Sequence, residues 1–188
     1  MRKLSVFNHL SLDGFFTDAT GDMSWAHTGS DDAEWNAFVA ENATGGGPLM
    51  FGRVTYQMMA GFWPTPMAAA MNPVVADRMN AMPKIVFSRT LHEAAWSNTT
   101  LLGADMLSEV RRLKSDPGDD ITILGSGTVV SALTEAGLID EYQLVVNPIV
   151  LGSGRTLFEN VTRKLRLRRT GSRSFGNGSV LVSYAPME

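Results

Sequence analysis

Apolar and polar positions along this chain alternate between a strand period and a helix period. Residues 3–12 read as a buried strand, after which "DGFFTDATGDMSWAHTG" loses any period and reads as an irregular loop. The helical period resumes with Trp35, Phe38 and Val39, behind Ser30 or Asp31 as a cap, and Gly45, Gly46 and Gly47 end it. "PLMF" is a short strand and "GRVTYQMMAGF" starts a second helix from Gly52, with a further helix around 74–82 in a Pro- and Met-rich stretch. "KIVFS" is a strand by its branched and aromatic content, and "TTLLG" is another. Residues 105–113 are helical by period, Pro117 and Gly118 mark a turn, and "ITIL" is the next strand. The helix after it carries Val129, Val130, Leu133 and Ala136 on one side, and Gly137 ends it in a left-handed cap with Leu138 packing back. "DEYQLVVNPIVLG" is a long strand, and the runs 164–174 and 179–185 form an antiparallel hairpin across 175–178. Strands and helices alternate and then strands run together, which predicts a single α/β domain over 1–188 with a mixed sheet.

Composition narrows the function. An apolar fraction of 44% and a charged fraction of 19% fit a globular chain that buries a core. The net charge, 16 − 19 = −3, gives no bulk attraction for a polyanion, so no nucleic-acid partner is expected. The basic run "RKLRLRRTGSR" alternates Leu165 and Leu167 with Lys164, Arg166 and Arg168, the pattern of a strand with one solvated face. Without cysteine there is no disulfide, zinc-thiolate site or cysteine nucleophile. His9, His27 and His92 lack metal-ligand spacing and read as structural or surface residues, so no metal is expected. G-x-S-x-G does not occur, which removes a serine hydrolase. Asn8, His9 and Asp13 break the first apolar run, and nothing approaches about 18 consecutive apolar residues. The chain reads as cytoplasmic, with no membrane partner.

"ILGSGTVVSAL" raises the question of a phosphate. A strand runs into Gly125 and Gly127 and then into a helix, but Val130 stands where the dinucleotide fingerprint G-x-G-x-x-G has its third glycine. Glycines let backbone approach a phosphate, and a helix N-terminus offers unpaired N–H groups, so the stretch is either a phosphate loop or an ordinary tight turn. "FGRVT" repeats the arrangement with Arg53 and Thr55 in the first turn of a helix, and "VFSRT" ends a third strand with Ser88 and Arg89. Arginine forks and hydroxyls suit a phosphate monoester such as the 2′-phosphate that separates NADP from NAD.

"SLDG", "FGRVTY", "VFSRT" and "LGSGTVVSALTEAGLIDEYQLVVNPIVLGSG" together resemble the dihydrofolate-reductase-like superfamily. The nearest branch is that of stand-alone proteins related to the reductase domain of riboflavin-synthesis deaminase-reductases. The resemblance implies a three-layer fold around a mixed, mostly parallel sheet of about eight strands, a C-terminal antiparallel hairpin, and NADPH as hydride donor. It implies that Gly52, Arg53 and Thr55 hold the pyrophosphate and adenosine-phosphate end. Ser88 and Arg89 would take the 2′-phosphate, and Gly125, Ser126, Gly127, Thr128 and Val129 would wrap the pyrophosphate. In "MSWAHTGSDDAEW" the acidic substrate residue of dihydrofolate reductases matches Asp32, three residues before Trp35.

On the residues alone Asp32 is equally a helix cap, and Asp13 with Gly14 is equally a turn or a functional loop. Asp13, Phe16, Trp25 and Trp35 are the candidate substrate-binding residues, in a pocket roofed by the 13–27 loop and the helix beginning near Asp32. Phe15 stands where riboflavin-pathway reductases commonly carry a basic residue, which with Phe16 points to a more apolar substrate. The expected activity is NADPH-dependent hydride transfer to a small heterocycle, with Asp32 as the catalytic acidic group. A dihydrofolate or pterin reductase, and an NADPH-binding module without turnover, are the alternatives. A homodimer acting on a small molecule is the family-like expectation.

Overall fold

The structure, a computed structural model, describes residues 1–26, 31–43, 47–103 and 105–187. His27, Ser30, Gly45 and Gly46, read above as a histidine of structural role, a helix cap and helix terminators, lie outside the described residues. In chain order the strands are β1 Leu4–Ser11, β2 Phe15–Asp18, β3 Leu49–Gly52, β4 Lys84–Phe87, β5 Thr99–Leu102, β6 Ile121–Leu124, β7 Glu141–Asn147, β8 Gly154–Thr156, β9 Leu167–Ser174 and β10 Val180–Pro186. The helices are α1 Ala33–Ala43, α2 Arg53–Phe62, α3 Pro66–Met71, α4 Pro73–Ala81, α5 Met106–Ser115 and α6 Gly127–Glu135.

Eight strands form one sheet in the order β5-β4-β3-β6-β1-β7-β10-β9. Pairings from β5 through to β7 are parallel, and β10 runs antiparallel to both β7 and β9. The central strands are short and apolar because both faces are covered. On one side Ile85, Ile121 and Ile123 pack under Val110 of α5 and Val129, Val130 and Leu133 of α6. On the other, Phe51 and Val86 meet Tyr56 of α2 and Val75 and Met79 of α4, while Trp35 and Phe38 of α1 cover Val145. Two layers of helices therefore sandwich the sheet, and the mixed, mostly parallel architecture with its terminal hairpin is present.

Four local readings need correction. The loop after β1 is not wholly irregular: β2 pairs antiparallel with β8. The long strand predicted from Asp140 stops at Asn147, because Pro148 has no N–H to continue a ladder. Helix α3 has only six residues, too few to show a period, although Thr65 before Pro66 marks its start. Asp32, not Asp31, caps α1, accepting from the N–H groups of Glu34 at 2.9 Å and Trp35 at 3.1 Å. The cap at Gly137 is as expected: φ is 67° and Leu138 N–H reaches back to Leu133 O at 3.0 Å.

At the amino end of β4, Lys84 is 1% exposed and has no carboxylate partner among the described residues. Its Nζ lies 4.2 Å from the Trp96 ring centroid and donates to Asn80 O and Ser97 O. Burial lowers its pKa from 10.5 to about 8. The folded chain thus releases this proton before the unfolded chain does, and stability attributable to Lys84 rises as pH climbs from about 8 to 10.5. Urea unfolding of wild type and Lys84→Met across that range checks it. The difference between the two should shift in favour of wild type as pH rises, and a difference independent of pH rejects the assignment.

Candidate active site

The carboxyl ends of β3, β4 and β6 are neighbours, so Gly52, Ser88 and Gly125 open onto one edge of the sheet. Open parallel sheets bind ligands at this edge. The first and third of these turns are locked together. Gly52 N–H donates to Ser126 Oγ at 2.8 Å, and Ser126 N–H donates to Thr55 Oγ1 at 3.0 Å. Asn8, buried on β1, holds the same turn by donating to Gly125 O at 3.2 Å. Gly125 and Ser126 both adopt left-handed conformations, with φ of 57° and 59°.

The helix starts differ in a way that bears on ligand binding. Asp32, Thr65, Asn72 and Asp105 cap α1, α3, α4 and α5 with side-chain acceptors. Neither Gly52 at the start of α2 nor Ser126 at the start of α6 gives a side-chain cap. Two helix N-termini with uncapped first turns thus stand side by side, and both present a positive dipole end. Arg53 and Arg89 are exposed, and among the described residues neither forms an ion pair, although Arg53 donates to Gln57 at 2.8 Å. Ser88 Oγ accepts from Thr90 and Leu91 N–H and shapes the turn that carries Arg89. Thr128 is exposed on the first turn of α6, whereas Val129 is buried and its methyl packs on Gly52. Hydroxyls and backbone donors of this kind, with two guanidinium groups nearby, fit a dinucleotide's phosphates.

Gly127 has a different reason for being glycine. A Cβ at this position would stand 2.5 Å from Cζ of Phe16, which is 5% exposed. Phe16 is thereby part of the core on the α6 side, and Trp35 belongs to a separate cluster on the α1 side. The two do not come together as walls of one pocket. The open cleft of about 330 Å³ that runs from Gly127 and Thr128 along α6 carries Glu135 and Glu159, charges that disfavour an anion there.

On the α1 side, Asp32 joins two distant segments: Oδ1 caps α1, and Oδ2 accepts the N–H of Asn177 at 2.9 Å from the turn before β10. These N–H groups, Trp35 first, lower its pKa, so Asp32 is an anion at neutral pH and a poor proton source. Its geometry favours the cap reading. Asp13 accepts from Leu151 and Gly152 N–H at 3.1 and 2.7 Å, and its pKa is lowered, chiefly by the Ser11 hydroxyl. It ties the segment after β1 to the segment before β8. Trp25 is half-buried, with Nε1 bonded to Asp22 O at 3.2 Å. Asn147, buried beside His9, is not singled out by the sequence, whereas Asn8, also buried, and His9 show there only as breaks in an apolar run. Adjacent polar residues inside the apolar run "LSVFNHL" were the available signal.

Similarity to known proteins agrees with this architecture. Among the described residues no helix is long and apolar enough to cross a membrane. The uncharacterised proteins YyaP and YwjB of Bacillus subtilis (strain 168) are each 27% identical to this chain. The first aligns over 97% of this chain and 94% of its own length, the second over 93% of each. A Shewanella sp. PV-4 protein provisionally assigned to riboflavin biosynthesis superposes with a TM-score of 0.74 at 22% identity, covering 99% of both chains. A pyrimidine reductase-like protein of Corynebacterium diphtheriae gives 0.60 at 14% identity, covering 100% of this chain and 92% of that one. The diaminohydroxyphosphoribosylaminopyrimidine deaminase/5-amino-6-(5-phosphoribosylamino)uracil reductase of Thermotoga maritima gives 0.65 at 15%, over 99% of this chain and 57% of that one. Residues 2–181 match the RibD C-terminal domain family, and the chain belongs to it.

Proposed function

We propose that this protein is an NADPH-dependent reductase acting on a small heterocycle of pyrimidine type. The observation that carries the reading is the locked pair of uncapped helix starts at Gly52 and Ser126, flanked by Arg53 and Arg89. Family membership and the reductase-like neighbours support it.

In this reading the first-turn N–H groups of α2 and α6 hold the pyrophosphate, with Arg53 beside them. Arg89, on the turn shaped by Ser88, takes the 2′-phosphate. Thr55 and Ser126 act mainly by keeping the two helix starts in register, since their hydroxyls accept from backbone N–H groups. Bound NADPH supplies the hydride; the chain supplies alignment and exclusion of water. Asp32, an anion at neutral pH, keeps α1 and the 175–178 turn in place around the substrate.

Titration of NADPH and NADH into wild type and Arg89→Ala tests the cofactor assignment. A guanidinium–phosphate pair present with only one of the two cofactors is worth roughly a tenfold or greater preference. Wild type should prefer NADPH by at least that factor, and Arg89→Ala should lose most of the preference while keeping its affinity for NADH. Equal affinity of wild type for both cofactors overturns it.

A further inference from the structure

Asn8 is 2% exposed and interrupts an apolar row of β1, after Leu4 and Val6 on the face packed against α5 and α6. The β1–β6 ladder ends one residue earlier, at the Phe7–Leu124 pair, so Asn8 stands beside the first residue to leave the sheet, Gly125. Its Nδ2 donates to Gly125 O at 3.2 Å. A carbonyl acceptor settles the orientation of this amide, because Oδ1 could not face it.

In a trans peptide the C=O and the following N–H point in opposite directions, and no peptide bond here is cis. Asn8 holds Gly125 O on one side of the plane, and Thr55 Oγ1 holds Ser126 N–H at 3.0 Å on the other. Thr55 lies in the first turn of α2, so the N–H points into the gap between the two helix starts. The carbonyl points the other way, into the core.

This double hold works against the local backbone preference. Ser126 has φ 59° and ψ 57°, a left-handed conformation that is strained for any residue with a Cβ. Turning the 125–126 peptide over by half a revolution takes Ser126 φ from 59° to about −120°, outside that region. Gly125 tolerates the matching change in its own ψ. The turned peptide would aim Gly125 O, a partial negative charge, into the gap between the helix starts.

We infer that Asn8 is a positioning residue for the anionic part of the cofactor: by holding Gly125 O in the core, it keeps N–H groups and not a carbonyl facing the pyrophosphate. The identity of the ligand rests on the reductase reading, whereas the orientation of the peptide does not. Asn8 acts through the fraction of molecules whose peptide faces the core, and apparent affinity falls in proportion to that fraction.

Two variants test it. Asn8→Leu removes the donor at nearly the same shape, and Asn8→Asp turns an acceptor toward Gly125 O. A crystal structure of the folded variant should show the peptide turned over, with Gly125 O directed at Thr55. Calorimetric titration should show NADPH affinity about tenfold lower, as for a native orientation kept by one molecule in ten. Ser126→Gly takes away the strain that drives the turn. In that background the loss from Asn8→Leu should shrink to about twofold, the value for two orientations of equal weight. An asparagine that merely supports the fold would leave the peptide unmoved and act equally in both backgrounds.

Unchanged NADPH affinity, a loss with the peptide unmoved, or an equal loss in both backgrounds overturns the inference. So does a wild-type crystal structure with NADPH bound in which Gly125 O has left Asn8, an outcome that needs no variant to fold. A wild type that binds no NADPH removes the reductase reading instead, and the peptide orientation in the variants then decides the role of Asn8 by itself.

Discussion

Gly127→Ala should destabilise the protein, although the same exchange in an ordinary helix stabilises it. Alanine gains about 0.5–1 kcal/mol over glycine inside a helix. Here the new Cβ would meet Phe16 Cζ at 2.5 Å and Cε1 at 2.7 Å, in a core where Phe16 is 5% exposed. Overpacking of this kind costs about 1–3 kcal/mol and therefore wins. Its cause is one ring, so removing that ring should reverse the sign. In a Phe16→Ala background, itself lowered by about 3 kcal/mol or more by the cavity, Gly127→Ala should be neutral or stabilising by about 0.5 kcal/mol. Four chemical denaturation curves complete the cycle. The side chain added at 127 points at Phe16 and not along the N–H direction, so NADPH should raise the melting temperature of folded Gly127→Ala about as much as that of wild type. A Gly127→Ala cost that persists unchanged without Phe16 would locate the strain elsewhere.

Gly125 and Gly127 mark the point where local pattern stops deciding the structure. Both glycines were legible as a turn before a helix, and the chemistry of the turn followed from a local pattern: strand, glycine, helix. Residues far away in sequence help to make each a glycine, Thr55 for Gly125 in addition to its left-handed φ, and Phe16 for Gly127. The parallel core was legible for the same local reason. "LMFG", "KIVF" and "ITIL" are short apolar runs that need no knowledge of their neighbours to be strands. β2 and β8, with four and three residues, have no such signal, and their pairing depends on contact between segments over a hundred residues apart. Asp32 was visible as a cap or an acid, but its second partner, Asn177, comes from the other end of the chain. That contact adds to the N–H groups of Trp35 and Glu34 in holding its carboxyl below the usual range.

Gly125→Ala should have the larger functional consequence. At φ of 57° a side chain costs roughly 1–2 kcal/mol in backbone strain. In addition its Cβ would lie 2.9 Å from Thr55 Cγ2. Thr55 cannot rotate away cheaply, because its Oγ1 accepts from Ser126 N–H at 3.0 Å. Relief must come by moving the turn, and the turn also carries the Asn8 bond to Gly125 O and the Ser126 bond from Gly52. The two helix starts then lose their register. Total destabilisation should be about 2–4 kcal/mol. Thr55→Ser separates the two causes, since serine keeps the hydroxyl and removes the obstructing methyl. In Gly125→Ala/Thr55→Ser the steric part should return and only the backbone part, about 1–2 kcal/mol, should remain. Cofactor affinity should follow the steric part. Folded Gly125→Ala should bind NADPH at least about tenfold more weakly, a loss of about 1.4 kcal/mol, and the double variant should come back to within about threefold of wild type. Calorimetric titration at a temperature where all three proteins are folded makes the comparison. If folded Gly125→Ala keeps full NADPH affinity, the locked turn is structural and the pyrophosphate binds elsewhere.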